Sequence, residues 1–280
     1  MSVAVVDMRA PDADTAFVRT LQETGFAVLR NAPVDSRRLQ RMSAQWLEFF
    51  LGDDKWNYPA VETASGNTSG YIPPEVSETA VGHHVKDLKE FFHITPETDL
   101  PAVLRDDAQA YLREALSLGS TLLGWIDEHC AAFLPESLRG RLGDCLSPSD
   151  SLMRLLHYPP LTGSESPDAV RAAAHEDINL LTVLPVSEEP GLQVLTQSGD
   201  WADVPGRFGD LIINSGDMLQ EASGQRLPST THRVLNPTGD AAKRSRISMP
   251  YFLAPDLGIR LSDRYTAGEY LHERLDLLAR

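Results

Sequence analysis

The sequence predicts a mainly β protein with helical support, a double-stranded β-helix (jelly roll) core with an N-terminal α/β extension. Two textures in the 280-residue chain predict it. Beyond about residue 150, short apolar runs alternate with turn clusters every eight to twelve residues, roughly the spacing of an all-β sandwich or barrel. About eight such runs suit the two antiparallel sheets of a jelly roll. Ahead of them, strand-like and helix-like periodicities alternate. The chain divides accordingly into three parts. Residues 1–148 form an N-terminal helical and strand region with substrate-covering loops, 149–255 the jelly-roll core, and 256–280 a terminal helix packed on that core.

In chain order, Val3 to Val6 reads as a short buried strand, and Pro11 to Thr24 as a helix with Phe17, Val18 and Leu21 on one side. Gly25 to Leu29 is a second apolar strand, closed by Asn31-Ala32-Pro33. Asp35 or Ser36 caps the next helix, whose Leu39, Met42, Trp46 and Phe50 recur three or four apart and form a buried face. Residues 52–75 are rich in Gly, Asn, Ser, Thr and Pro and read as a loop region. Lys86 to His93 is strand-like. Leu100 to Phe133 carries a sustained apolar stripe from Val103 to Ile126, a long helix that packs beneath a sheet.

The core then opens with Ser151 to Tyr158, stopped by Pro159-Pro160. Ala172 to Asp177 starts the next strand and Leu180 to Leu184 extends it. Further strands are expected at 191–195, 201–204, 210–214, 218–220, 231–235 and 246–253. The chain ends in a helix through Tyr270, Leu275 and Leu278.

Three sets of residues carry possible chemistry. On a strand, side chains alternate faces, so His175 and Asp177 point the same way and Glu176 the other. That pair is two-thirds of a two-His-one-carboxylate set, which holds non-haem Fe(II) and leaves positions open for oxygen and substrate. His232, 57 positions further on (232 − 175), is the third candidate. The plainer alternative is a strand-end histidine bonded to a carbonyl beside a solvated aspartate. Arg246 and Ser248 form a second same-face pair. A buried guanidinium there needs an acidic partner, from the protein or from a co-substrate. Tyr158, closing its strand, either completes a carboxylate pocket or is a rim residue. His83-His84 is metal-like in composition, but adjacent histidines on a strand face opposite ways.

The formal net charge of −15 argues against nucleic acid as a partner, because phosphate neutralisation needs a basic surface. Cys130 and Cys145 lie in no metal-type spacing and read as buried thiols. No signal peptide and no membrane-length apolar segment is evident. The expectation is a cytoplasmic protein, a monomer or weak homodimer, with a small-molecule substrate and no nucleic-acid or membrane partner.

Six ordered pieces give the second half a resemblance. They are Met153-Arg154-Leu155-Leu156-His157-Tyr158-Pro159-Pro160, His175-Glu176-Asp177, Gly191-Leu192-Gln193-Val194, Asn214-Ser215-Gly216-Asp217, Ser229-Thr230-Thr231-His232-Arg233-Val234 and Arg246-Ile247-Ser248-Met249-Pro250-Tyr251-Phe252. Together they resemble the isopenicillin N synthase-like Fe(II)/2-oxoglutarate-dependent oxygenases. The resemblance implies His175, Asp177 and His232 as iron ligands, and Arg246 and Ser248, joined by Tyr158, as the site for the distal carboxylate of 2-oxoglutarate. It implies Fe(II), 2-oxoglutarate and O2 as cofactors. The implied reaction is oxidation, by default hydroxylation, of an unactivated C–H bond in a small metabolite or natural-product intermediate, with release of succinate and CO2. Asn214, Gly216 and Asp217 match a turn that shapes the barrel. Many relatives carry Asn two positions before this tyrosine, where Leu156 stands here. Tyr71, His93, Met153, His157, Asn179, Gln193 and Phe252 are candidate substrate contacts. Two alternatives stay open: a 2-oxoglutarate-independent oxidase or cyclase on the same iron site, and a non-catalytic jelly-roll binding protein.

Overall fold

A computed structural model describes residues 2–63, 67–76, 86–166 and 169–278. The His83-His84 pair lies outside them. The first part contributes β1 (Val5–Asp7), α1 (Ala13–Thr24), β2 (Phe26–Arg30), α2 (Ser36–Leu51), β3 (Val61–Glu62), β4 (Thr68–Ile72), β5 (Glu90–Ile94) and α3 (Ala102–Cys130). The core follows as β6 (Leu152–Tyr158), β7 (Ala172–His175), β8 (Leu181–Pro185), β9 (Leu192–Leu195), β10 (Trp201–Asp203), β11 (Leu211–Ser215), α4 (Asp217–Ala222), β12 (His232–Val234), β13 (Arg246–Ser248) and β14 (Tyr251–Leu253). Helix α5 (Ala267–Leu278) closes the chain.

Local chemistry sets these boundaries. Gly25 ends α1 in the left-handed region at φ 69°, and its N–H donates to the Leu21 carbonyl at 2.8 Å. A Cβ there would meet the Pro228 carbonyl and the Thr230 hydroxyl at 2.4 Å, so glycine is also required by the close approach. Asp35 caps α2, accepting from Arg37 N at 2.9 Å.

The large sheet runs β1-β2-β11-β8-β14-β6-β5-β4-β3, with β13 also paired to β6; the small sheet runs β10-β9-β12-β7. Strands from both halves of the chain thus share one sheet. One face of that sheet packs on α1, α2 and α3 in a single apolar core that includes Phe17, Trp46, Tyr111, Phe92, Leu155, Val183, Ile213 and Leu253. The opposite face looks toward the small sheet. A second apolar cluster, Val28, Ile212, Leu192, Val194 and Val234, joins the two sheets at one end. No described helix is long and apolar enough to cross a membrane.

Four sequence expectations change. The 52–75 stretch is not all loop: β3 and β4 extend the large sheet there. Residues 172–184 are not one strand but two in different sheets, β7 and β8, with 176–180 crossing between them. Arg246 to Leu253 is likewise divided, at Met249-Pro250, because proline has no N–H for a ladder. Met218 to Gln220 is not a strand but part of α4. That apolar run is too short for its period to separate helix from strand.

Candidate active site

The two sheets bring the distant histidines together by register. His175 on β7 lies directly opposite His232 on β12, with ring centroids 4.3 Å apart. Asp177 sits just past the end of β7. Its Oδ1 is 3.9 Å from His175 Nε2 and 3.7 Å from His232 Nε2. One ligand atom from each residue lies within 4.8 Å of the others, a spacing that a single cation would bridge.

The surroundings fix each donor. His175 Nδ1 lies 2.8 Å from the Ala173 carbonyl and His232 Nδ1 3.1 Å from the Thr230 carbonyl. Each Nδ1 therefore carries the proton, and each Nε2 lone pair faces the shared centre. Desolvation by the surrounding protein, and then the neighbouring His232, lower the His175 pKa, so the ring is neutral and able to ligate at neutral pH. Asp177 is buried, which pulls its carboxyl upward. The two imidazoles and hydrogen bonds from Thr182 and Asn214 outweigh that and hold it below the usual carboxylate range. Thr182 Oγ1 donates to Asp177 Oδ2 at 2.5 Å and Asn214 Nδ2 donates at 2.8 Å, which leaves Oδ1 turned to the histidines. Glu176 is exposed and accepts from the Thr231 hydroxyl at 2.8 Å, away from this centre.

The turn at 214–217 grips the same loop. Asp217 N donates to Asp177 O at 2.7 Å and Met218 N to Ile178 O at 3.0 Å. A Cβ on Gly216 would sit 2.2 Å from the Asn179 carbonyl. The turn thus shapes the loop that carries Asp177, and Asn214 bonds the Asp177 carboxylate directly.

The second constellation lies on β6 and β13, where Arg246 pairs with Tyr158 and Ser248 with Leu156. All four are buried. Arg246 Nη1 donates to the carbonyls of Glu189 and, at 2.8 Å, Pro190, while its Nε has no partner among the described residues. Burial pushes the Tyr158 phenol up to about 12, against the pull of Arg246, so it stays a protonated donor. This is a set of donors with a buried positive charge and, among the described residues, no carboxylate bonded to it, which fits an anionic ligand.

The substrate candidates separate by face. Tyr71, Met153 and His157 are corrected: strand alternation turns them to the helix layer. Tyr71 and Met153 pack in its core, and His157 stacks on Phe50 of α2. Asn179 is spent on the 176–182 segment, donating to Leu181 O at 2.7 Å and Thr182 Oγ1 at 3.1 Å. Gln193 bonds Asp203 and Arg233 at the surface. His93 and Phe252 stay on the inner face. His93 Nε2 meets Arg154 Nε at 2.8 Å, and the Arg154 guanidinium lies 4.6 Å from the Phe91 ring centre and 5.7 Å from that of Phe252. Thr182, which bonds Asp177, and Phe91 and Arg154 beside His93 were not singled out in the sequence. The period-2 phase set by Tyr158 on β6 places Arg154 on the inner face, and pairing carries the phase to Phe91.

Comparison with known proteins gives this geometry its context. Residues 149–255 match the 2OG-Fe(II) oxygenase superfamily, and residues 4–114 match the N-terminal region of non-haem dioxygenases in morphine synthesis. A provisionally named oxygenase from Shewanella oneidensis is 43% identical, with a TM-score of 0.86, covering 100% of this chain and 99% of that one. The chain belongs to the 2OG-Fe(II) oxygenase superfamily. The oxygenase is also 30% identical to gibberellin 3-beta-dioxygenase 1 of Oryza sativa subsp. japonica, over 95% of this chain and 72% of that protein. A provisionally named 2OG-Fe(II) oxygenase family protein from Caulobacter crescentus is 30% identical, with 98% of both chains covered and a TM-score of 0.80. The oxygenase is an oxidoreductase that uses Fe(II), 2-oxoglutarate and O2 on a small molecule.

Proposed function

We propose that His175, Asp177 and His232 hold the iron, and that Arg246, Ser248 and Tyr158 take the distal carboxylate of 2-oxoglutarate. The observation that carries this reading is the convergence of three neutral or anionic donor atoms within 4.8 Å. The guanidinium, phenol and hydroxyl stand on the same inner sheet face. Bound iron would supply the activation of O2, coupling decarboxylation of 2-oxoglutarate to oxidation of a C–H bond.

The protein's own contribution is positioning. Thr182 and Asn214 orient the carboxylate, the two backbone carbonyls fix the imidazole tautomers, and the Arg246 fork sets the direction in which the ketoacid lies. With 43% of its side-chain surface open, His175 marks the rim through which substrate arrives. Phe91 and Phe252, with the Arg154–His93 pair between them, line the wall a substrate would meet. We take that substrate to be a small metabolite or natural-product intermediate and the reaction to be hydroxylation. A cytoplasmic monomer or weak homodimer acting on neither nucleic acid nor membranes goes with this reading, and the net charge of −15 supports the first exclusion.

The test is Fe(II)-dependent release of succinate from 2-oxoglutarate, screened against metabolite pools. Arg246→Ala is expected to raise the KM for 2-oxoglutarate by about 100-fold with a smaller change in kcat, the loss typical of truncating one partner of a buried charged contact. An unchanged KM would remove Arg246 from the carboxylate pocket.

A further inference from the structure

Beside this pocket lies a second buried arginine. Arg171, immediately ahead of β7, has 0% of its surface exposed. Its Nη2 donates to the Arg244 carbonyl at 3.1 Å, but its Nε and Nη1 have no hydrogen-bond partner among the described residues. The guanidinium carbon is 5.8 Å from the centre of the Tyr158 ring, and Tyr158 is the register partner of Arg246. Both guanidinium groups therefore converge on one phenol. Burial lowers the pKa of each, and Arg246 is lowered further by Arg171. The acidic group that both sense is Glu189, whose carboxylate is already bonded to Arg244 at 2.7 and 3.2 Å. Two buried cations with unused donors and no carboxylate bonded to them among the described residues carry a desolvation cost. An incoming anion offsets that cost.

We propose that Arg171 is a second cation of the 2-oxoglutarate pocket, adding its positive charge across the Tyr158 ring to that of Arg246 in holding the distal carboxylate. The proposal rests on the assignment of Arg246, Ser248 and Tyr158 to that carboxylate. Arg171 acts on the ligand through the field and through Tyr158, as a positioning residue.

Calorimetric titration of 2-oxoglutarate into the Mn(II)-loaded protein tests it, with oxalate as a chelator that lacks a distal carboxylate. Arg171→Met is expected to weaken 2-oxoglutarate by about 10–100-fold, the worth of a charged contact. Oxalate affinity should stay within about twofold, which is less than 0.5 kcal/mol. Arg171→Lys, which keeps the charge, should recover most of the loss. Unchanged 2-oxoglutarate affinity in Arg171→Met overturns the proposal, and so does an equal loss in both variants, which would mean that shape rather than charge matters. If the wild-type protein binds oxalate but not 2-oxoglutarate, or Arg246→Met binds 2-oxoglutarate normally, the pocket assignment itself fails. Should Arg171→Met not fold, the wild-type protein decides with 4-phosphono-2-oxobutanoate at mildly alkaline pH. A two-cation pocket holds the distal phosphonate dianion at least as tightly as 2-oxoglutarate. Binding weaker by more than about tenfold, or 1.4 kcal/mol, overturns the proposal.

Discussion

Strands β5 and β6 carry buried polar clusters on both faces, and the two are built differently. On the helix side, Glu90 lies at the centre. Its Oε1 is 2.7 Å from His157 Nδ1, and its Oε2 accepts from the Tyr71 hydroxyl and, at 3.0 Å, from Lys55 Nζ. His157 Nε2 in turn lies 2.9 Å from the Ser245 hydroxyl. Every strong donor there meets an acceptor, and the charge of Lys55 meets that of Glu90. On the inner side, Arg246 Nε and Arg171 Nε and Nη1 have no partner among the described residues, and one donor atom each from His175, Asp177 and His232 lies within 4.8 Å of the others. A closed network specifies and stabilises a core. An open one, kept at a cost in stability, is completed by a ligand. Burial alone does not distinguish the two clusters; the pairing of donors with acceptors does.

The sharpest break in this contrast is Asp177→Ala. It removes the carboxylate between the two imidazoles, and Fe(II) affinity should drop by more than about 1,000-fold, beyond the 10–100-fold typical of losing an outer hydrogen-bond partner. Succinate release should vanish with it, and stability should fall by about 1–3 kcal/mol because Thr182 and Asn214 lose their buried acceptor. Anaerobic Fe(II) titration and circular dichroism read the two effects separately, and retained Fe(II) affinity would defeat the ligand assignment.

Glu90→Ala should do the opposite. Breaking a buried ion pair leaves Lys55 uncompensated and costs about 3 kcal/mol or more, with 2-oxoglutarate affinity unchanged. The acid response follows from the same cluster. Burial raises the Glu90 carboxyl pKa, but hydrogen bonds from His157, Tyr71 and Lys55 more than reverse this and hold it below the usual value. A folded-state pKa below the unfolded one gives stability that is present above the unfolded pKa and lost as pH falls through the folded value. Denaturation midpoints of the wild type should therefore fall more steeply on acidification below the ordinary carboxylate range than those of Glu90→Gln. Parallel curves would show that Glu90 gains nothing from its network. A smaller effect is expected from Thr182→Val, which deletes one donor to Asp177 Oδ2 and should weaken metal binding by about 10–100-fold. Equal metal affinity in that variant would show that Asn214 alone orients the carboxylate.

The pairs His175–Asp177 and Arg246–Ser248 were legible in the sequence because each sits in a two-residue spacing that a strand converts to one face, while His232 and Tyr158 were assigned to them through the resemblance. Their convergence was not, since it depends on β7 and β12 pairing His175 with His232. Tyr71, Met153 and His157 were misplaced for a single reason. Period-2 alternation says which residues share a face but not which face meets the helices, and a buried histidine or tyrosine suits either. Applied consistently, the phase of Tyr158 would have excluded His157 and Met153 on the same strand. The crossing at 176–180 was hidden because Ile178 and Leu180-Leu181 continue the apolar run across a change of sheet. Arg171 stands outside any motif, and its burial between sheets becomes visible in three dimensions alone.

The finest test of the contrast removes the same atom from each side of the sheet. Tyr71 and Tyr158 are both buried, and burial is the first cause of the raised pKa in each, so both phenols are donors at any working pH. Tyr71 gives its hydrogen to Glu90 within the protein. Tyr158 has no such acceptor among the described residues, and in the proposed site its hydroxyl would donate to the distal carboxylate. Tyr71→Phe should therefore lower stability by about 1 kcal/mol, or somewhat more because the acceptor is charged, and leave 2-oxoglutarate affinity alone. Tyr158→Phe should leave the thermal midpoint nearly unchanged and weaken 2-oxoglutarate by about fivefold, close to 1 kcal/mol. Adding ligand separates them further, because stabilisation by a bound molecule scales with its concentration over its dissociation constant. The gain in midpoint at fixed 2-oxoglutarate should be smaller for Tyr158→Phe and equal to that of the wild type for Tyr71→Phe. If both substitutions shift stability alike and neither shifts affinity, the inner face is as closed as the outer one, and the carboxylate site must lie elsewhere.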